Sequence, residues 1–177
     1  MRLNHQEDLL RNGQNFFKSN SHKLEHNYMN LEKFMTMAMQ LAKTAFKENE
    51  VPVGAIVVKS GMIIGRGFNQ VISTNSVSSH AEIIAINDAS QTINNYRLKE
   101  CDIYVTLEPC HMCAKAIVDA RIQNLYFAAP EPKTGSIISV DNFLDKNFLN
   151  HRVHYEHGIL CQESAELLRS FFASKRN

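Results

Sequence analysis

The chain has 177 residues, 44% hydrophobic and 21% charged, with a formal net charge of +1 at pH 7. That mix suits one domain with a sizeable core, and the lack of any long uninterrupted apolar run argues against a membrane span. A near-neutral total lacks the basic excess of most nucleic-acid binders, although a local basic patch is compatible with it.

Residues 1–28 are rich in Asn, Gln, Ser and Lys and carry little periodic hydrophobicity. They read as a poorly ordered N-terminal extension. The stretch has no apolar h-region of a secretory signal, and Glu7 and Asp8 do not suit a mitochondrial presequence, so a cytoplasmic protein is expected. The globular pattern begins at Met29, a candidate biological start, and residues 29–177 read as a single domain.

From Leu31 to Phe46, apolar residues recur at helical spacing, and the methionines on that stripe read as core filler. The run "VPVGAIVVKSGMIIGRGFN" predicts two strands joined by a turn at Ser60-Gly61. A Ser/Asn-rich loop over 69–79 leads to His80, and a helix follows to about Ala89. "CDIYVTL" is a strand, 111–121 a helix, "NLYFAA" a strand and "PEPKTGSI" a loop. "HRVHYEHG" predicts a further strand, and Gln162 to about Ser174 a last amphipathic helix. The order α-β-β-α-β-α-β-loop-β-α implies an α/β fold, with one mixed sheet of about five strands and helices on both faces.

Two motifs carry the chemistry. Cys110 and Cys113 form a C-x-x-C, a spacing that lets two thiolates grip one metal from a single turn. With His80 they make a Cys₂His donor set, which suits zinc and leaves a fourth tetrahedral position open, as catalytic zinc sites do. Both motifs sit at helix starts, where partial positive charge stabilises thiolates. His111 should point away from its neighbour Cys110. His151, His154 and His157 read as surface or RNA-facing residues, and Cys101 and Cys161 as bystanders or small buried hydrophobes.

Glu82 lies two residues after His80. Zinc brings the pKa of a bound water towards neutral, and a carboxylate beside it can carry the proton from water to a leaving amine. That chemistry is hydrolytic attack on an sp² carbon with loss of ammonia. Either motif alone is weak. Together, as H-x-E and P-C-x-x-C about thirty residues apart, they form the signature of zinc deaminases.

On these motifs, and on "EVPVGAIVV", "GFN", "HAEIIAI", "NYRL", "YVTLEPCHMCAKAI", "ARI", "KTG", "NHRV" and "LLRSFF", the sequence resembles the bacterial tRNA-specific adenosine deaminases from about Leu31 to Arg176. The resemblance implies a three-layer αβα cytidine-deaminase-like fold with one zinc ion per subunit. It makes His80, Cys110 and Cys113 the ligands and Glu82 the proton shuttle. Asn69, Val51 and the backbone around Ala81 would hold the target nucleoside. The substrate implied is the wobble adenosine of a tRNA anticodon stem-loop, in an arginine tRNA, converted to inosine by a homodimer. Glu131, Lys133, Arg152, Lys175 and Arg176 are candidate RNA contacts. Before "KTG" the family often carries a basic residue and an Asp, where this chain reads Pro130-Glu131-Pro132; the terminal "ASKRN" is also less basic than usual. The competing readings are a guanine or deoxycytidylate deaminase and a non-catalytic zinc-containing RNA-binding subunit.

Overall fold

The computed structural model describes residues 29–176. The expectations for residues 1–28 therefore lie outside the described residues. The chain divides into two units, Met1–Lys33 and Phe34–Asn177, and the sheet belongs to the second.

Helix α1 runs over residues 29–47. Strands β1 (Gly54–Lys59) and β2 (Met62–Phe68) form the expected hairpin, with Ser60 and Gly61 both at positive φ in its turn. Helix α2 (Ala81–Thr92), β3 (Cys101–Leu107), α3 (His111–Asp119), β4 (Asn124–Ala129), β5 (His154–His157) and α4 (Cys161–Ser174) follow. The sheet order is β2-β1-β3-β4-β5. The β1 pairings with β2 and β3 are antiparallel, and β3-β4 and β4-β5 are parallel. This is the mixed five-stranded α/β sheet the sequence predicts.

Alternation along the strands sorts the two faces. Ala55 and Val57 of β1 register with Gly67 and Gly65 of β2 and with Val105 and Ile103 of β3, which places all six on one face. Helices α2 and α3 cover that face with Ala81, Ala85, Ala89, Ala114, Ile117 and Val118, all buried in the same core cluster. Ile56 and Tyr104 point the other way, and Phe34 of α1 packs on the Tyr104 ring with centroids 5.3 Å apart. Helix α4 lies on this side too, through the edge-on contact of Phe46 with Phe171.

Three boundaries differ from expectation. Helix α3 stops at Asp119 because Arg121 enters the left-handed region at φ 63°. Helix α2 runs one turn further, to Thr92. The last strand is shorter than the 151–158 stretch: only His154–His157 pairs with β4, and Gly158 leaves it at φ 103°. His151 does not face outward as expected; it is half-buried and its Nε2 donates to the Ile122 carbonyl at 2.7 Å. His154 is exposed beside Glu156, and His157 stacks on Phe127.

Candidate active site

Parallel strands β3 and β4 end beside the N-termini of α2 and α3, and the site is built there. His80 is the N-cap residue of α2 and Cys110 the N-cap residue of α3; both are extended and neither uses its side chain to cap. Their side chains are therefore free to converge. Cys113 lies one turn into α3 and is fully buried. The Nδ1 of His80 lies 3.4 Å from Cys113 Sγ and 3.8 Å from Cys110 Sγ. All three donor atoms fall within 4.8 Å of one another. Tetrahedral zinc with ordinary Zn–S and Zn–N bonds needs about 3.6 Å between sulfur and nitrogen, so the donor set fits that ion in spacing and in softness. No other group of three or more His, Cys, Asp or Glu side chains among the described residues is so arranged.

The electrostatics favour a thiolate at this corner. A hydrogen bond from Cys113 holds the Cys110 thiol down, to about 3, against its burial. The same bond, together with burial, pushes Cys113 up. The hydrogen bond to Cys110 raises His80. Glu82 is buried at the first turn of α2, and that burial raises its carboxyl above the usual range. A carboxyl raised by burial beside a donor set that could hold a metal can keep a proton and give it up, as a shuttle must. His111 points away, as expected, and its Nε2 lies 3.0 Å from Asp141 Oδ1.

Glu82, His80 and Cys110 line a cavity of about 320 Å³ whose wall includes Val51, Val53, Asn69, Leu107 and Glu131. Asn69 and Val51, the two side chains expected to meet the nucleoside, are thus both on the wall of this cavity. Ala81 is buried, and its N–H donates to Asn69 Oδ1 at 2.9 Å. This bond satisfies a free N–H at the start of α2, a capping interaction of about 1 kcal/mol supplied from the preceding loop.

Two residues that the sequence reading missed hold the cavity walls. Glu108 accepts N–H bonds from Glu131, Ile137, Ile138 and Ser139, and the Ser139 hydroxyl as well. Burial would raise its carboxyl, but these bonds outweigh burial and hold it low. Its grip brings the 131–139 loop against the His80–Cys110–Cys113 corner, where Cys110 and Gly135 pair as an isolated bridge. Glu50 performs the matching task for the 70–79 loop, accepting from Ile72 and Ser73. The available signal was an acidic residue in an otherwise apolar context, in "EVPVG" and "TLEPC".

Of the candidate RNA contacts, Glu131 sits on the cavity wall, its Oε1 accepting the Lys133 N–H at 2.9 Å. Lys133, Lys175 and Arg176 line an adjoining groove that shares Leu107 and Glu131 with the cavity. That groove also holds Arg169 and Phe172, which the sequence reading did not single out. Lys175 bonds Asn49 and lies over the Phe171 ring. Arg152 is not brought to this groove; its guanidinium bonds the Leu144 carbonyl at 3.3 Å.

A mixed sheet, with a His and two Cys at the heads of two helices and a buried Glu between them, defines a deaminase of the cytidine-deaminase-like class. The MafB19-like deaminase family model matches residues 29–176. The tRNA-specific adenosine deaminase of Aquifex aeolicus is 46% identical over 149 residues, covering 84% of this chain and 98% of the relative. A structure from a study of A-to-I editing by tRNA wobble-position deaminases superposes with a TM-score of 0.75 at 41% identity, covering 77% of this chain and 99% of the other. Guanine deaminase from Nitrosomonas europaea shares the fold at a TM-score of 0.69 and 23% identity, covering 80% and 84%. The chain belongs to the tRNA-specific adenosine deaminase family.

Proposed function

We propose that this protein hydrolytically deaminates the wobble adenosine of a tRNA anticodon, in arginine tRNA, to inosine. The observation that carries the reading is Glu82: a buried carboxylate two residues beyond the His80 cap, within a cavity whose corner is a Cys₂His set. A purely structural metal site has no use for such a group. Sequence identity with adenosine deaminases that act on tRNA supports the RNA substrate over a free base.

His80 Nδ1, Cys110 Sγ and Cys113 Sγ would hold one zinc ion per subunit. Bound there, zinc supplies Lewis-acid activation of water at neutral pH. Glu82 takes one proton from the attacking water and delivers it to the ring nitrogen, then carries the remaining proton of the added hydroxyl to the amine, which leaves as ammonia as the carbonyl forms. Asn69 and Val51 hold the flipped base, and the buried walls exclude bulk water from it. Lys133, Lys175 and Arg176, which line the adjoining groove, would meet phosphates there. Residues 29–177 act as one deaminase domain, as a cytoplasmic homodimer. No helix among the described residues is long and apolar enough to cross a membrane.

The test is inosine formation on an arginine-tRNA anticodon stem-loop with adenosine at the wobble position. Wild type and Glu82→Ala are compared, with free adenosine, cytidine and guanine as rival substrates. Inosine from the RNA with wild type alone supports the reading. Ammonia from a free base or nucleoside, with none from RNA, overturns the substrate assignment.

A further inference from the structure

Glu50 is 1% exposed and has no part in the chemistry described above, yet it lines the cavity. Its backbone is fixed by the N–H bond to the Ala45 carbonyl at the end of α1. Its two carboxylate oxygens divide their work: Oε2 accepts the Ile72 N–H at 3.1 Å and Oε1 the Ser73 N–H at 2.7 Å. Both donors belong to the loop between Asn69 and His80. That loop is closed at its base by the Gln70 N–H on the Ser79 carbonyl and crossed by the Ser76 N–H on the Val71 carbonyl. Among the described residues, Glu50 fastens its crown to the β1 side of the cavity through these two amides. Val71 and Ile72, on the crown, are cavity wall; Ile72 is 65% exposed and presents its side chain at the rim.

The two roots of the loop are held separately. The Asn69 N–H bonds the Val53 carbonyl, and Asn69 Oδ1 accepts from Ala81. Loosening the crown would therefore disturb the wall made by Val71 and Ile72, and would leave His80, Glu82 and the metal corner in place.

We propose that Glu50 is a positioning residue for substrate: it fixes the 70–79 loop as one wall of the cavity and thereby sets affinity and not the rate of the chemical step. This rests on the reading of that cavity as the substrate pocket.

Glu50→Gln tests it, because the amide keeps shape and volume but offers one acceptor oxygen for two donors and sets an NH₂ against the other N–H. The expected result is a KM for the stem-loop raised roughly 5- to 20-fold, with kcat within about twofold and metal content equal to wild type. Amide exchange at Ile72 and Ser73 should accelerate by at least about tenfold, with α2 unchanged. Unchanged KM and unchanged exchange would overturn the proposal. So would a fall in kcat that tracks loss of metal, which would make Glu50 a support of the whole site. Should Glu50→Gln fail to accumulate as folded protein, Glu50→Asp serves, since it withdraws both oxygens by one methylene and the same split is read. The kinetic split is measured on whichever substrate wild type turns over. Failure to make inosine thus removes the substrate assignment, while the exchange data still judge Glu50.

Discussion

Replacing Gly67 by Ala should damage activity more than stability. A Cβ on Gly67 would lie 2.2 Å from the Ala81 carbonyl oxygen and 2.6 Å from the Ala85 nitrogen, both backbone atoms of the first turns of α2. Real Cβ contacts essentially never fall below 3.0 Å, so helix and strand must part by at least about 0.8 Å. Overpacking of this kind costs about 1–3 kcal/mol, or roughly 3–10 °C in Tm for a domain of this size. The displaced turn carries His80 and Glu82, and a misplacement near 1 Å at reacting groups costs about 10²-fold in rate. Gly65→Ala is the control. Its Cβ meets the Ala85 carbonyl at 2.3 Å and Ala89 beyond it, further from the head of the helix. Similar Tm losses are expected, with kcat/KM falling much further for Gly67→Ala. Calorimetry and single-turnover deamination of the stem-loop read the two quantities. Equal activity losses, or wild-type behaviour of Gly67→Ala, would refute the idea that close approach of β2 sets the position of the catalytic turn.

Glu82→Ala should retain metal, measured by atomic absorption, and lose turnover; loss of metal would make Glu82 a ligand and not a shuttle. Cys113→Ala should lose metal and thermal stability together, because the thiol is both a donor and fully buried; full occupancy would remove it from the ligand set. Glu108→Ala would strand the N–H groups of Ile137, Ile138 and Ser139 at about 1–3 kcal/mol each, so a denaturant midpoint within error of wild type would contradict the bonding described. The Glu50 carboxyl is held low by the Ser73 and Ile72 bonds, which outweigh its burial. A lowered folded pKa contributes stability that is present above the unfolded value of about 4.3 and is lost as pH falls through the folded one. The Tm gap between wild type and Glu50→Gln should therefore be full at pH 7 and narrow below about pH 4; a gap that widens on acidification would reverse the sign of this linkage.

Period and punctuation determined much of this protein locally. The apolar runs in "GAIVVK" and "CDIYVTL", the Ser60-Gly61 turn and the helical stripe after Met29 were legible because strands covered on both faces and a helix covered on one write that burial into their own residues. The metal corner was legible for a related reason. C-x-x-C closes within one helical turn, and His80 and Glu82 lie two residues apart, so their geometry is mostly local. The tertiary structure decided what depends on partners distant in the chain. Glu50 meets its loop across more than twenty residues, and Glu108 meets Ser139 across 31. Nothing in their neighbours' spacing announces that a buried carboxylate will find several amides waiting. The same holds for His151, whose ring turns to the Ile122 carbonyl, and for Arg152, drawn to the Leu144 carbonyl and away from the groove that holds Arg169. A polar side chain's orientation follows from which unpaired backbone groups the fold brings within reach, and only the packed chain fixes those.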